Sequence, residues 1–554
     1  MNILSINYGE HDASACILVD GEIKSYYKEE RLTGIKRDIE PKLAIKQCFD
    51  DFGAKIDYAI IISYPTSTKK QNQLIQKFTG IRDTNIIEYS YYHHLSHAAL
   101  AFYNSGFDES LVLVVDGQGT LYSDNLAEGE TVYLAKYPCS FECVIKNVFT
   151  NKVQSKISRL TDTVPLEKYI IKHKNYESNI NPNAGGIAQV YDTASVLISQ
   201  SFLENGKIMG LSSYGKKTDY PQIFNDKSQP DWNLFTDAYA STRLFKSHKD
   251  KVIKEVTEEN YKFYADYAYE VQSQTQQAVA NLIERAIDKT DCKNVCVVGG
   301  YGMNIVANHY YTQRFPEVQF YFEPNADDGG IPIGAAKHFH HSRKNDFTKR
   351  PITTTAFHGK SYDISQYKSK TTSIQEVARL LNQNKSVAVY TGLSEAGQRA
   401  LGNRSIFFNP LHPNAKEIVN KIKKREWYRP FAGIVLEEDA NLYFDMGNIK
   451  SSPYMTISFP VKTDIIPGIT HVDGTCRIQT TSKNNGYLYE LIQEFKKLSG
   501  VGIILNTSLN LAGNPLVETP EDAFKTLRDS DLDYLWFQET NQLFKNIKSK
   551  IGYS

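Results

Sequence analysis

LVLVVDGQGT, residues Leu111 to Thr120, is an apolar run that ends in an aspartate and a glycine-rich turn. A run of this length, rich in β-branched residues and bounded by turn residues, reads as a buried strand. The chain opens on the same phrase: ILSINYG, Ile3 to Gly9, is an apolar strand that meets the turn GEHDAS. Each copy then leads into a hairpin. The first, SACILVDGEIKSYY, turns at Asp20-Gly21, a pair suited to a two-residue turn. The second closes through EGETVYLAKY.

Two strand, glycine-turn and hairpin units are how actin-like and sugar-kinase-like folds hold a nucleotide between halves, so the expected class is α/β with a duplicated, actin-like (ASKHA) N-terminal domain over residues 1–345. The intervening sequence agrees. PKLAIKQCFDDFG reads as a helix begun by Pro41 and ended by Gly53, and DYAIIISYP as a strand. AQVYDTASVLISQSFLENG and YADYAYEVQSQTQQAVANLIERAI repeat apolar residues at three and four, as helices do. NVCVVGGYGMN is a further strand and glycine turn, followed by the helix NIVANHYYTQRF, the strand VQFYFEP and IPIGAAKHF. Polar, basic sequence then predicts a linker over 346–373. A second α/β unit, residues 374–554, begins with the helix IQEVARLLNQN and the strand SVAVYTG.

Composition sets limits. A chain of 554 residues exceeds what one core usually organises. Its 63 Lys+Arg balance 63 Asp+Glu, which leaves no global footprint for nucleic acid or anionic membrane. The opening residues have neither a charged n-region nor a long apolar run, so a soluble cytoplasmic protein without membrane partners is expected. Seven cysteines, an odd number spread along the chain, predict reduced thiols. Cys139/Cys143 and Cys292/Cys296 sit in strand-like sequence and read as buried structural residues rather than a zinc site.

Function enters at YYHHLSHAALAF. Residues four apart share a helix face, so His93 and His97 can address one ion while His94 points elsewhere. Asp116 ends the strand LVLVV, and Asp327, in EPNADDGG, follows the strand VQFYF; carboxylates at such strand ends lie in the ligand crevice. Two imidazoles and two carboxylates suit a divalent first-row metal. Asp328 competes with Asp327 for the fourth place, and the spacing from the glycine turn favours Asp327.

GEHDASA, EERLTGIKRD, HHLSHAALAF, VVDGQGT, GKIMGLSSYG, VVGGYGMNIVAN and NADDGGIPIGAA, in that order, resemble the O-carbamoyltransferases that modify antibiotics and nodulation factors. EAGQRALGNRSIFFNP, IKKREWYRPFAG, HVDGTCRIQTT and GIILNTSLNLAGNPLVETPEDAF extend the likeness to the C-terminal half. The resemblance implies an actin-like domain whose metal, iron(II), is held by His93, His97, Asp116 and Asp327. It implies a C-terminal YrdC-like domain that makes carbamoyl adenylate from Mg2+-ATP and carbamoyl phosphate. It further implies transfer of the carbamoyl group to a hydroxyl-bearing acceptor. A composition rich in Asn, Lys, Ile and Tyr points to an AT-rich genome and makes a hydroxymethyl pyrimidine one such acceptor.

That chemistry needs positive charge around two anionic substrates. Arg399 and Arg404 in QRALGNR, Arg425, Arg429 and Arg477 supply it, with arginine's planar fork matched to phosphate oxygens. Lys424 in KIKKRE and Arg429 before Pro430 are assigned to the site, and Lys421 and Lys423 to a solvated face. Asn506 and Ser508 follow a strand and can donate to phosphates, or satisfy a turn. In the first domain Gly117, Gly119, Gly299 and Gly300 with Asn304 let backbone approach the adenylate, or only serve tight turns. Lys207 can reach the nucleotide. His11, oriented by Asp12, is the candidate group at the acceptor; a turn-capping pair is the alternative. His94, His338, His340 and His341 are left structural or exposed. A kinase on the same fold would give the basic cluster no role, and a tRNA-directed relative would show a basic stripe with interleaved aromatics, which is absent.

Overall fold

The structure is a computed structural model that describes residues 1–9, 11–63, 68–122, 126–150, 166–181, 185–199, 204–231, 234, 256–343 and 356–547. Contacts divide the chain into two compact units, Met1–Glu29 with Asp38–Thr354, and Glu30–Arg37 with Thr355–Ser554.

The first unit contains the duplication in its strand order. β1 (Asn2–Tyr8), β2 (Ser14–Val19), β3 (Glu22–Lys28), β4 (Tyr58–Ser63) and β5 (Ile86–Glu88) form a five-stranded sheet ordered β3-β2-β1-β4-β5. β1 and β2 pair antiparallel, and β1, β4 and β5 run parallel. The β2–β3 turn is the expected one: Asp20 and Gly21 have φ 50° and 91°, the left-handed pair that a two-residue hairpin turn requires. A second sheet is built from β6 (Glu109–Val115), β7 (Leu121–Tyr122), β8 (Leu126–Lys136), β9 (Ser140–Thr150), β10 (Lys172–Asn181), β11 (Asn294–Val298) and β12 (Gln319–Phe322). Its order, β10-β9-β8-β6-β11-β12, repeats the first sheet strand for strand, with β10 and the short β7 added. β6 pairs antiparallel with β8 and parallel with β11, as β1 does with β2 and β4. This duplicated α/β topology is actin-like.

β6 is buried on both faces, with Val112 and Val114 among the helix His93–Ser105, and the helices His93–Ser105 and Ile331–Arg343 pack closely together. The helical runs read from the sequence form Ile187–Ser199 and Tyr261–Thr290; residues 200–203 of the first run lie outside the described residues. All seven cysteines are free thiols. Among the described residues no helix is long and apolar enough to cross a membrane.

The second unit is one nine-stranded mixed sheet. Its strands are β13 (Lys370–Thr371), β14 (Val387–Tyr390), β15 (Arg404–Phe408), β16 (Ala432–Leu436), β17 (Ser458–Pro460), β18 (Thr475–Thr481), β19 (Ile503–Ser508), β20 (Tyr534–Phe537) and β21 (Gln542–Lys545). They are ordered β13-β21-β20-β14-β15-β19-β16-β18-β17. Strand alternation sorts its two faces: Val387 and Val389 join the core beneath helices Ile374–Asn382 and Tyr487–Ser499, whereas Ala388 and Tyr390 face helices Ala415–Lys423 and Pro520–Arg528. Of the expected linker, 346–355 lies outside the described residues; beyond it Ala356 and Ile364 are buried and β13 pairs with β21, so this stretch belongs to the second unit's fold. That unit also takes in Arg31, which is buried and donates from Nη2 to the Gly397 carbonyl at 2.8 Å.

Candidate functional site

The histidine helix starts where the tight turn Ser90–Tyr92 ends, and His93 and His97 turn Nε2 toward the C-terminal end of β6. Asp116 stands there. Its Oδ1 accepts the Gly300 N–H at 2.7 Å, which leaves Oδ2 for the imidazoles, 3.4 Å from His93 Nε2 and 3.9 Å from His97 Nε2. Asp328 Oδ1 lies 3.5 Å and 3.2 Å from the same two nitrogens. One ligand atom from each of the four residues lies within 4.8 Å of all the others, a donor set of two nitrogens and two oxygens that fits a divalent first-row ion. Burial opposes charge on His93, but Asp328 and Asp116 outweigh it and push its pKa well up; Asp328, despite burial, is held well below the usual carboxylate range by His93, His97 and His11. An entering cation displaces such protons.

The fourth member differs from expectation. Asp328, not Asp327, joins the histidines. The chain at Asp327 is extended, with φ −73° and ψ 174°, and successive side chains in extended backbone point to opposite sides. Asp327 is therefore turned to Lys28, whose Nζ lies 2.7 Å from both of its oxygens in a pair with side chains 1% and 5% exposed. Lys28 carries no motif signal of its own. His11 does reach the group: Nδ1 is 2.8 Å from Asp12 Oδ2 and Nε2 is 3.9 Å from Asp328 Oδ2. Burial lowers the His11 pKa, but the Asp12 hydrogen bond and the charges of Asp328 and Asp116 raise it to about 10.

The second unit gathers cations. Arg399, Lys423, Arg425, Arg429 and Arg477 act on one another electrostatically. Burial, followed by the charges of Arg477 and Arg429, holds Arg399 well below its ordinary pKa; burial with Arg425 and Arg429 does the same to Lys423. Arg477 falls to about 10, mainly through burial. Glu426, 3.9 Å from Arg429, is the nearby carboxylate of an ion pair. Lys423 is buried and the four arginines are half-buried, so the group concentrates positive charge in one place.

The sequence meets two family models, carbamoyltransferase N-terminus over residues 81–337 and carbamoyltransferase C-terminus over 378–542. The chain belongs to the carbamoyltransferase family. Nodulation protein NolNO of Sinorhizobium fredii (strain NBRC 101917 / NGR234) is 27% identical over 574 residues, covering 95% of this chain and 78% of that protein. Nodulation protein U of Rhizobium fredii is 35% identical over 229 residues, 40% of this chain and 39% of that protein. Full-length HypF in its phosphate- and nucleotide-bound form aligns with a TM-score of 0.38 at 13% identity, over 61% of this chain and 55% of that one.

Several residues of this carbamoyltransferase have other work than their motifs suggest. Lys423 and Lys424 exchange places. Lys423 is 3% exposed and donates to Ser508 (backbone carbonyl and, at 3.0 Å, Oγ) and to Asn510 Oδ1 at 2.6 Å. Lys424 is exposed in the left-handed position that ends the helix Ala415–Lys423, with φ 52°. The sequence carries a signal for this: Ala415, Val419 and Ile422 mark a buried stripe, and Lys423 continues it. Arg404 is fully buried and turned inward. Its guanidinium donates to the carbonyls of Thr391, Gly392 (3.2 Å) and Asn403 (3.2 Å) and stacks 3.7 Å from the centroid of the Tyr390 ring. Asn506 gives Nδ2 to the Ala400 carbonyl at 2.9 Å, while Ser508 donates to Asn510 Oδ1 at 2.7 Å.

In the first unit Asn304 caps the helix Ile305–Arg314 and exchanges two hydrogen bonds with Gln272, at 3.0 Å and 3.2 Å. Gly119 is glycine because a Cβ there would overlap Glu128 Oε2 and His94, and Gly299, with φ 92°, because a Cβ would strike the Val115 carbonyl. Gly300 holds Asp116; Gly117 faces Asp192 and Lys207 lies half-buried on the helix Asn205–Ser212. His94 is buried on Thr131 Oγ1 at 2.8 Å, and burial pulls its pKa to about 3.

Proposed function

We propose that this carbamoyltransferase is ATP-dependent and divides its reaction between the two sites. In the second unit carbamoyl phosphate is hydrolysed to carbamate and phosphate. A carbamate oxygen then attacks the α-phosphorus of ATP, and pyrophosphate leaves with the electron pair of the broken phosphoanhydride bond, giving carbamoyl adenylate. This YrdC-like chemistry places up to four phosphoryl groups against protein. The observation that carries the reading is the group Arg399, Lys423, Arg425, Arg429 and Arg477, whose mutual repulsion an anion relieves.

In the first unit an acceptor hydroxyl attacks the carbamoyl carbon, and AMP departs. His93, His97, Asp116 and Asp328 would hold the ion, and iron(II) matches a mixed nitrogen and oxygen donor set. When bound, the ion supplies Lewis-acid and template chemistry. His11, fixed through Nδ1 to Asp12 and held protonated by its carboxylate neighbours, offers Nε2–H as a hydrogen-bond donor that polarises the acceptor or the carbamoyl group. The acceptor is a small molecule, sugar or nucleoside alcohol, a hydroxymethyl pyrimidine among them.

The test needs no acceptor. Protein with Mg2+ and ATP, with and without carbamoyl phosphate, is assayed for pyrophosphate and, by mass spectrometry, for carbamoyl adenylate. Both products appear only with carbamoyl phosphate; release of ADP instead would refute the reading.

A further inference from the structure

We infer that Asn7 is a positioning residue that fixes Asp328 for the ion by tying its turn to the turn that carries His11. The inference rests on the metal-site reading above.

Asp328 stands where its own neighbours in sequence do little to secure it. Gly329 and Gly330 follow, at places where a Cβ would overlap Lys28 and the Asn325 carbonyl, so the two residues after the ligand have no side chains with which to pack. Its Oδ1 must nevertheless meet His93 and His97, which belong to another element. A ligand so placed needs its backbone fixed by other groups.

The first sheet supplies them in one row. Asn7 on β1 faces Ser14 on β2, and Ser14 faces Lys28 on β3, so the three side chains share one side of the sheet. Tyr26, two residues before Lys28, shares it too. Lys28 holds the Asp327 carboxylate. Ser14 Oγ and the Tyr26 hydroxyl both donate to the Gly329 carbonyl, at 2.9 Å and 2.8 Å, which has two lone pairs to offer. Between these two grips, Asn7 Nδ2 donates to the carbonyl of Asp328 itself at 3.2 Å.

Asn7 differs from the rest of the row in reaching two turns at once. An NH2 group carries two hydrogens, and Nδ2 also donates to the Asp12 carbonyl, again at 3.2 Å. Asp12 is the residue whose carboxylate holds His11 Nδ1 at 2.8 Å. One amide, 2% exposed, therefore joins the turn of His11 to the turn of Asp328, where His11 Nε2 and Asp328 Oδ2 lie 3.9 Å apart. Both bonds need the NH2 end of the side chain, so its orientation is set. Asn7 also ends the apolar run of the first strand and turn, as Asp116 ends that of the second. In one copy the polar residue is a ligand, and in the other it sets a ligand in place.

A double-mutant cycle separates positioning from general support. Cobalt(II) is the probe, and its binding to the full chain is measured by calorimetry for wild type, Asn7→Leu, Asp328→Asn and the double variant, with the melting temperature of each ion-free protein. Asn7→Leu keeps the approximate shape and removes both donor hydrogens. It is expected to weaken cobalt binding about tenfold in the wild-type background and less than about twofold in the Asp328→Asn background. An amide that only braces the fold would lower the melting temperature without singling out one ligand. Equal effects on cobalt binding in the two backgrounds, no effect included, would therefore overturn the inference. Should Asn7→Leu not fold, Asn7→Ser, which keeps one donor hydrogen but draws it back from both carbonyls, goes through the same cycle: weakening that depends on Asp328 supports positioning, and equal effects overturn it. If Asp328→Asn alone leaves cobalt binding unchanged, it is the metal-site reading that fails.

Discussion

Asp327 and Asp328 are neighbours in sequence with opposite duties, and exchanging each for asparagine separates them. Asp327→Asn keeps shape and removes the charge opposite Lys28, an ammonium 1% exposed with both carboxylate oxygens 2.7 Å away. Breaking a buried pair on one side costs about 3–5 kcal/mol, because the remaining charge stays out of water. At about 1.4 kcal/mol per decade, the folding equilibrium falls by roughly two to four powers of ten. Removing the pair together, as Lys28→Met with Asp327→Leu, should recover most of that loss. Asp328→Asn leaves the Lys28 pair intact and takes charge from between His93 and His97; affinity for a divalent ion should fall at least about tenfold. The assay is urea unfolding alongside metal content per chain by mass spectrometry of the purified, ion-loaded proteins. An Asp327→Asn protein that folds as stably as wild type but has lost its ion would refute the assignment.

Lys423→Met removes charge-assisted hydrogen bonds to Ser508 and Asn510 worth about 1.5–3 kcal/mol, a loss of stability that urea unfolding should register, whereas Lys424→Ala, on the surface, should leave stability within about 0.5 kcal/mol. Arg404→Met strands several buried carbonyls, and denaturant unfolding should register a loss of about 3 kcal/mol or more. His338, half-buried beside the Tyr89 hydroxyl at 3.0 Å, has its pKa lowered by desolvation from 6.5 to about 4. The unfolded chain therefore binds its proton first: stability is intact above pH 6.5, falls as pH drops toward 4, and at pH 5 should have lost about 2 kcal/mol. His338→Gln should flatten that part of the stability profile, which parallel unfolding at pH 7.5 and pH 5 would show. Gly119→Ala forces a methyl onto Glu128 and His94 and should cost about 1–3 kcal/mol, read as a lower melting temperature.

The fold is legible in the sequence because its signals are local. Apolar runs, the Asp20-Gly21 turn and the repeated strand-turn phrase each depend on a few adjacent residues, and β1 and β6 occupy equivalent places in their sheets. His93, His97 and Asp116 are legible for the same reason: helix spacing and a strand end determine where they point. Asp328 is not, because choosing between neighbours in extended chain requires knowing which side Lys28 occupies, and Lys28 is far away in sequence. Charge alone sends Lys423 to solvent, whereas the helix stripe already places it inward. Arg404 lies in a motif dense with glycine and arginine, where nothing local separates a ligand from a brace; only the backbone groups of a folded loop reveal which it is.

Arg31 has a consequence for how this enzyme can be taken apart. The second unit counts residues 30–37 as its own, although the rest of it begins at Thr355. A single cut near Thr354 therefore yields two mismatched pieces. The downstream piece lacks the arginine that donates to Gly397, two residues before Arg399, and the upstream piece carries a segment of the other unit's structure. Gene fission, module exchange and split-enzyme complementation all meet the same obstacle. Whoever transplants the second unit must bring along a segment encoded more than half the gene away, so the boundary between the two units cannot be reproduced by simple breakage of the chain.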